Sequence, residues 1–177
     1  MTQHLWSLSA TEVALRIASR EVTARQVTQS VLGRIAETNP TFNALAVVSE
    51  VSALKAADAA DAAQARGDAL GPLHGVPVTI KVNVDVAGEA TTDAVEAFKD
   101  NVAQTDSPLV KSMRDAGAVI VGRSNAPAFS LRWFTDNAFH GRTLNPFDPS
   151  VTPGGSSGGA AACVAARMAP LSVGTDT

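Results

Sequence analysis

Twelve consecutive residues, Gly75-Val-Pro-Val-Thr-Ile-Lys-Val-Asn-Val-Asp-Val86, limit the fold of this chain more than any other stretch. They are β-branched and almost continuously apolar, the pattern of a buried strand. Asp106-Ser-Pro108 reads as an N-cap followed by an early proline, opening a helix through Leu109, Val110 and Met113 to Gly117. Ala118-Val-Ile-Val-Gly122 is a second short buried strand. Strand, helix, strand is the signature of a βαβ unit, so a sheet containing parallel strands is expected.

The residues before this core read as helices. Ser9-Ala-Thr-Glu12 is a capping box, followed by an apolar face of Val13, Ala14 and Ile17. Thr23-Ala-Arg-Gln26 repeats the device before Val27, Val31 and Ile35, and this second helix is expected to stop before Pro40. A third, Ala-rich helix from Glu50 to about Arg66 carries Asp58, Asp61 and Arg66 outward and ends at Gly67. Residues 1–70 are thus a helical cover, and residues 71–177 begin the core sheet of the same single domain. Residues 136–155 are a loop, 158–166 a small-residue helix, and Pro170-Leu-Ser-Val173 a last strand. Neither repeats nor a linker interrupt the chain.

Composition narrows the function classes. With 177 residues, 45% apolar and 18% charged, the chain has the make-up of a folded domain. A net charge of −3 argues against nucleic acid or an anionic membrane as partner. Cys163 stands alone, so neither a disulfide framework nor a paired Cys/His zinc site is expected. The first residues carry no secretion signal and no stretch is long enough to span a membrane, which points to the cytoplasm.

Lys81 is the first candidate for chemistry, because of four lysines it alone interrupts a buried strand. It is either an edge-strand lysine that reaches water, or a desolvated amine whose lowered pKa leaves it neutral and basic. Asn83 and Asp85 lie on the same strand face, as the two-residue period requires. The second candidate is Thr152-Pro-Gly-Gly-Ser-Ser-Gly-Gly159, in which glycines admit a close backbone approach and two hydroxyls precede a helix. It lacks the lysine of a phosphate loop and the spacing of a dinucleotide fingerprint. Gly155-Ser-Ser-Gly-Gly159 fits a nucleophile elbow, but a proline-rich loop precedes it and no histidine lies beyond His140. Ser52-Ala-Leu-Lys55 lacks the partners of a β-lactamase site. His74 sits in a turn and His140 in a loop, Cys163 reads as a packed thiol, and Trp133, Phe134 and Phe139 line a pocket or anchor a loop.

Together, Gly71-Pro-Leu-His-Gly-Val-Pro-Val-Thr-Ile-Lys81, Thr91-Thr92, Gly122-Arg-Ser-Asn-Ala-Pro127, Gly141-Arg-Thr-Leu-Asn-Pro146, the glycine–serine loop and Gly174-Thr-Asp176 resemble the amidase signature family. The resemblance runs in order from about residue 5 to 177. It implies an α/β fold with helices around a mixed, twisted sheet in α/β/α layers. It implies hydrolysis of a small-molecule carboxylic amide by a Ser-cisSer-Lys triad, through an acyl-enzyme. Lys81 resembles the base and Ser156 the bridging serine, held in a cis peptide. Ser157, Asn83 and Asp176 fall at supporting positions, and Thr177 at the first oxyanion amide. The nucleophile belongs to an Asp-x-Gly-Gly-Ser, three residues after Thr177, so the chain resembles an N-terminal part that is inactive alone. Val82 and Ala128 stand where many members carry acidic residues. No metal or organic cofactor is implied, and neither nucleic acid nor membrane; a homodimer is open. The rival readings are an amidotransferase subunit that makes ammonia for a charged-tRNA intermediate, and a non-catalytic protein on the same fold.

Overall fold

Four strands, Leu45–Val48 (β1), Pro77–Lys81 (β2), Val119–Ser124 (β3) and Leu171–Val173 (β4), form one sheet in the computed structural model, which describes residues 4–176. Their order is β1-β3-β2-β4. β2 runs parallel to β3 on one side and to β4 on the other, whereas β1 is antiparallel to β3. The helix Pro108–Asp115 (α4) makes the crossover from β2 to β3, as the βαβ pattern predicts. Its N-cap, Ser107, accepts from Val110 N at 3.3 Å.

Helices α1 (Ala10–Ala18), α2 (Ala24–Phe42), α3 (Glu50–Arg66) and α5 (Gly158–Ala165) complete the fold. Strand residues alternate between two layers. Val119 and Val121 pack with Val31 and Ile35 of α2, Ala53 of α3 and Cys163 of α5. Val78, Ile80, Ile120 and Val173 pack with Val110 of α4 on the other face. The result is the expected α/β/α arrangement around a mixed sheet. Both predicted capping boxes form: Ser9 Oγ accepts from Glu12 N at 3.2 Å, and Thr23 Oγ1 from Gln26 N at 3.0 Å. Gly67, at φ 80°, ends α3 in the left-handed conformation that favours glycine. Among the described residues, no helix is long and apolar enough to cross a membrane.

Four local expectations need correction. Helix α2 continues through Pro40 to Phe42. The proline sits in the last turn, where the loss of one donor is offset by contacts to the residues that lead into β1. Asn39 clamps Leu45 through both ends of its carboxamide, at 3.0 and 2.9 Å, and the Asn43 amide closes on Asn39 O at 2.8 Å. Next, β1 lies inside the stretch read as helical cover; four apolar residues are too short a run to separate strand from helix. Asp61 is not an outward-facing charge. It accepts from Ala24 N at 2.7 Å and Arg25 N at 3.1 Å, at the positive end of α2.

The fourth correction bears on function. The strand predicted to run on to Val86 ends at Lys81, and residues 82–85 turn away. Val84 N donates to Lys81 O at 3.1 Å and closes the turn, and Arg123, 1% exposed, draws in carbonyls around it. Its Nη2 donates to Val84 O at 2.5 Å and Lys81 O at 3.3 Å, and its Nη1 to Ala90 O and Glu89 Oε2, both at 3.3 Å. Val82 and Val86 stay buried all the same, in different apolar clusters. Asn83 and Asp85 therefore do not share a strand face with Lys81. Asp85 accepts from Thr91 Oγ1 at 2.6 Å.

Candidate active site

Lys81 ends a strand that has a hydrogen-bonded neighbour on each side, so the edge-strand reading of this lysine fails. Its side chain is fully buried. Thr79, two residues earlier and on the same face, meets Cys163 of α5, and Lys81 accordingly points at the segment leading into α5. There Nζ donates to Ser156 Oγ at 2.8 Å and to Thr175 Oγ1 at 3.0 Å. Burial holds the amine below the ordinary lysine range, and the charges of Asp93 and Asp176 act against that. Burial likewise raises the Asp93 carboxyl, with Lys81 pulling it down and Asp85 pushing it up.

Ser156 follows a cis peptide bond from Gly155. The glycines around it do make close approaches, but to the protein's own backbone. A Cβ on Gly155 would meet Arg132 O and Phe134 N at 2.6 Å, and one on Gly159 would overlap the backbone of Asn125. Ser157 stands one residue before α5 and fastens this loop to the segment after β4. Its Oγ donates to Thr175 O at 2.9 Å and accepts from Thr175 N at 3.2 Å. Asn83, delivered by the turn that Arg123 holds, donates from Nδ2 to Thr175 Oγ1 at 3.1 Å. Its Oδ1 is buried with no partner.

A buried lysine at the carboxyl end of a parallel strand, 2.8 Å from a serine 75 residues later, is a geometry that a sequence family can be checked against. The family model for Amidase matches residues 26–177. The chain belongs to the Amidase family. The indoleacetamide hydrolase of Bradyrhizobium diazoefficiens is 46% identical over 172 residues, which are 97% of this chain and 33% of that protein. A glutamyl-tRNA(Gln) amidotransferase subunit from Acidothermus cellulolyticus is 45% identical over 169 residues, 96% of this chain and 34% of its own length. The solved structure of a bacterial aryl acylamidase of the amidase signature family superposes with a TM-score of 0.87 at 32% identity, covering 92% of this chain and 34% of that one. The chain thus spans about a third of the length of the curated relatives it matches.

Of the residues singled out from the sequence, this amidase chain brings Lys81, Asn83, Ser156 and Ser157 together around Thr175. Asp176 is exposed and acts on Lys81 through its charge. Thr177 lies outside the described residues. His74 contacts Ala60 O at 3.1 Å and His140 contacts Thr92 Oγ1 at 3.3 Å, neither in this cluster. Cys163 is buried, and burial pushes its thiol up to about 12, too high for a nucleophile. Phe139 packs on His140, while Trp133 and Phe134 are exposed. Among the described residues, no cluster of histidine, cysteine or carboxylate side chains has the make-up of a metal site.

Three participants were not singled out. Thr175 offered a signal, a hydroxyl two residues beyond a strand that neighbours the lysine strand. Arg123 offered another, the only charge in an otherwise uncharged strand. Asp93 carried none, because its proximity to Lys81 depends on the loop between β2 and α4.

Proposed function

We propose that the chain carries the proton-relay part of an amide hydrolase acting on a small carboxylic amide. The observation that carries this reading is the contact between the buried Lys81 amine and Ser156. In the reading, neutral Lys81 Nζ takes the Ser156 hydroxyl proton as Ser156 Oγ takes one from the nucleophile, the serine of the expected Asp-x-Gly-Gly-Ser. The nucleophile's oxygen adds to the substrate carbonyl, and collapse breaks the C–N bond. The proton held by the relay passes to the departing nitrogen, which leaves as ammonia or an amine. Water, deprotonated by the same path, then hydrolyses the acyl-enzyme to the acid. Thr177 and the amides after it supply the oxyanion donors, and Ser157 holds the Ser156 loop against Thr175. The indoleacetamide hydrolase relative supports a hydrolytic outcome. The amidotransferase relative, nearly as similar, supports a second reading in which the chain supplies ammonia within a larger assembly; Val82, in place of an acidic residue, weighs against it.

The test joins this chain to the remaining two thirds of the indoleacetamide hydrolase, in place of that protein's matching segment. Amide hydrolysis by the hybrid is expected to fall by roughly 10³-fold or more with Lys81→Ala and to be unchanged with Lys99→Ala. Equal rates in the two variants overturn the role given to Lys81.

A further inference from the structure

Two tight turns meet beside the end of β2, and neither contains a glycine. Residues 92–95 close with Val95 N on Thr92 O at 2.8 Å, and the middle pair, Asp93 and Ala94, has φ of 48° and 56°. Residues 128–131 close with Leu131 N on Ala128 O at 3.4 Å, around Phe129 and Ser130 at 54° and 57°. Left-handed backbone disfavours side chains, so the surroundings must hold all four residues there. Phe129 N donates to Asp93 O at 2.9 Å and joins the turns, while Ala94 packs with Val82, the residue after Lys81, and with Ala126. On the far side, the backbone of residues 132–134 lies against Gly155, one residue before Ser156. The joined turns thus run from the end of β2 to the serine loop, with Asp93 on them.

Asp93 is half-buried, and among the described residues its carboxylate has no hydrogen-bond or ion-pair partner. The two carboxylates in the segment before it are taken. Asp85 accepts from Thr91 Oγ1, and Glu89 accepts from Ser49 Oγ at 2.8 Å and from Arg123. Lys81 is near enough for its charge to act on Asp93, yet the contacts of its Nζ are the hydroxyls of Ser156 and Thr175. When Lys81 is neutral, as its role as base requires, Asp93 is a carboxylate partly out of water and without a counter-charge. A cation brought by the substrate fits that place, because an ammonium has donors alone and Asp93 offers acceptors alone. We propose that Asp93 is a specificity-determining residue, which binds a protonated amine carried by the substrate amide and so favours amine-bearing amides over neutral ones. The proposal rests on the reading of this chain as an amide hydrolase with Lys81 as its base.

The test uses the hybrid enzyme described above and two amides of equal length, ω-aminohexanamide and hexanamide. The readout is the ratio of their kcat/KM values, because an effect of Asp93 on Lys81 enters both rates alike. The ratio is expected to fall roughly tenfold or more with Asp93→Asn, a residue that tolerates the left-handed backbone. Asp115→Asn removes an exposed charge near the start of β3, at the end of the sheet away from Lys81, and is expected to leave the ratio in place. Equal changes for the two amides in Asp93→Asn overturn this inference and leave the base reading standing. Hexanamide hydrolysis that survives Lys81→Ala overturns the base reading, and the inference with it. A second measurement needs no turnover. In this chain by itself, at constant ionic strength, hexylammonium is expected to lower the pH at which the Asp93 carboxyl titrates, and hexanol is not. An Asp93 titration that hexylammonium leaves in place overturns the binding role.

Discussion

From Pro77 to Lys81 the chain is a strand buried between two layers; from Val82 to Val86, with valine still alternating with polar residues, it is a turn. The two halves share a composition and the same β-branched preference, so local propensity does not separate them. The difference lies in the partner available to the backbone. Through Lys81 the strand pairs with β3, whose last residue, Ser124, is opposite Lys81. One more bond, Val82 N to Ser124 O at 3.1 Å, closes the ladder. Beyond it, the Lys81 and Val84 carbonyls go to a buried guanidinium. The first half is held by burial on both faces, and the second by the Val84 N to Lys81 O turn bond together with charge-assisted hydrogen bonds to one side chain.

That contrast breaks most sharply at Arg123. Replacing it with Met leaves the Val84 and Ala90 carbonyls without their donor and the half-buried Glu89 carboxylate without its cation, and is expected to cost about 3–5 kcal/mol in urea unfolding. A loss under about 1 kcal/mol would mean that the turn is held by something other than the clamp. The strand half gives a smaller effect of a different kind. Ile80→Val removes one buried methylene and is expected to cost about 1 kcal/mol, with the Lys81 titration unmoved. If Ile80→Val shifts that titration, the two halves are not held independently.

The range of each interaction decides how much of this was legible in the sequence. The capping boxes at Ser9 and Thr23, the Gly67 stop and the strand-helix-strand unit each depend on residues a few positions apart, and each appears where expected. The end of β2 depends on Arg123, 42 residues downstream of Lys81, and no periodicity within residues 75–86 reports it. The persistence of α2 past Pro40 depends likewise on Asn39 reaching the next strand. At the candidate site, Lys81 and Ser156 stood out because each is chemically out of place, a lysine in a buried strand and serines in a glycine loop. Thr175 did not, since a threonine beside a strand is ordinary until the fold sets it between Lys81 and Asn83.

The most direct measurement is an NMR titration of the four lysine side chains through their Nζ nitrogens, with Lys81→Ala to assign the signal. Burial disfavours the charged amine, so Lys81 is predicted to lose its proton below the ordinary lysine range. Ser156→Ala, which removes a hydrogen-bond acceptor from the charged form, is predicted to lower it further. A Lys81 that titrates within the ordinary lysine range would show a cation at the end of β2 and contradict its assignment as the base.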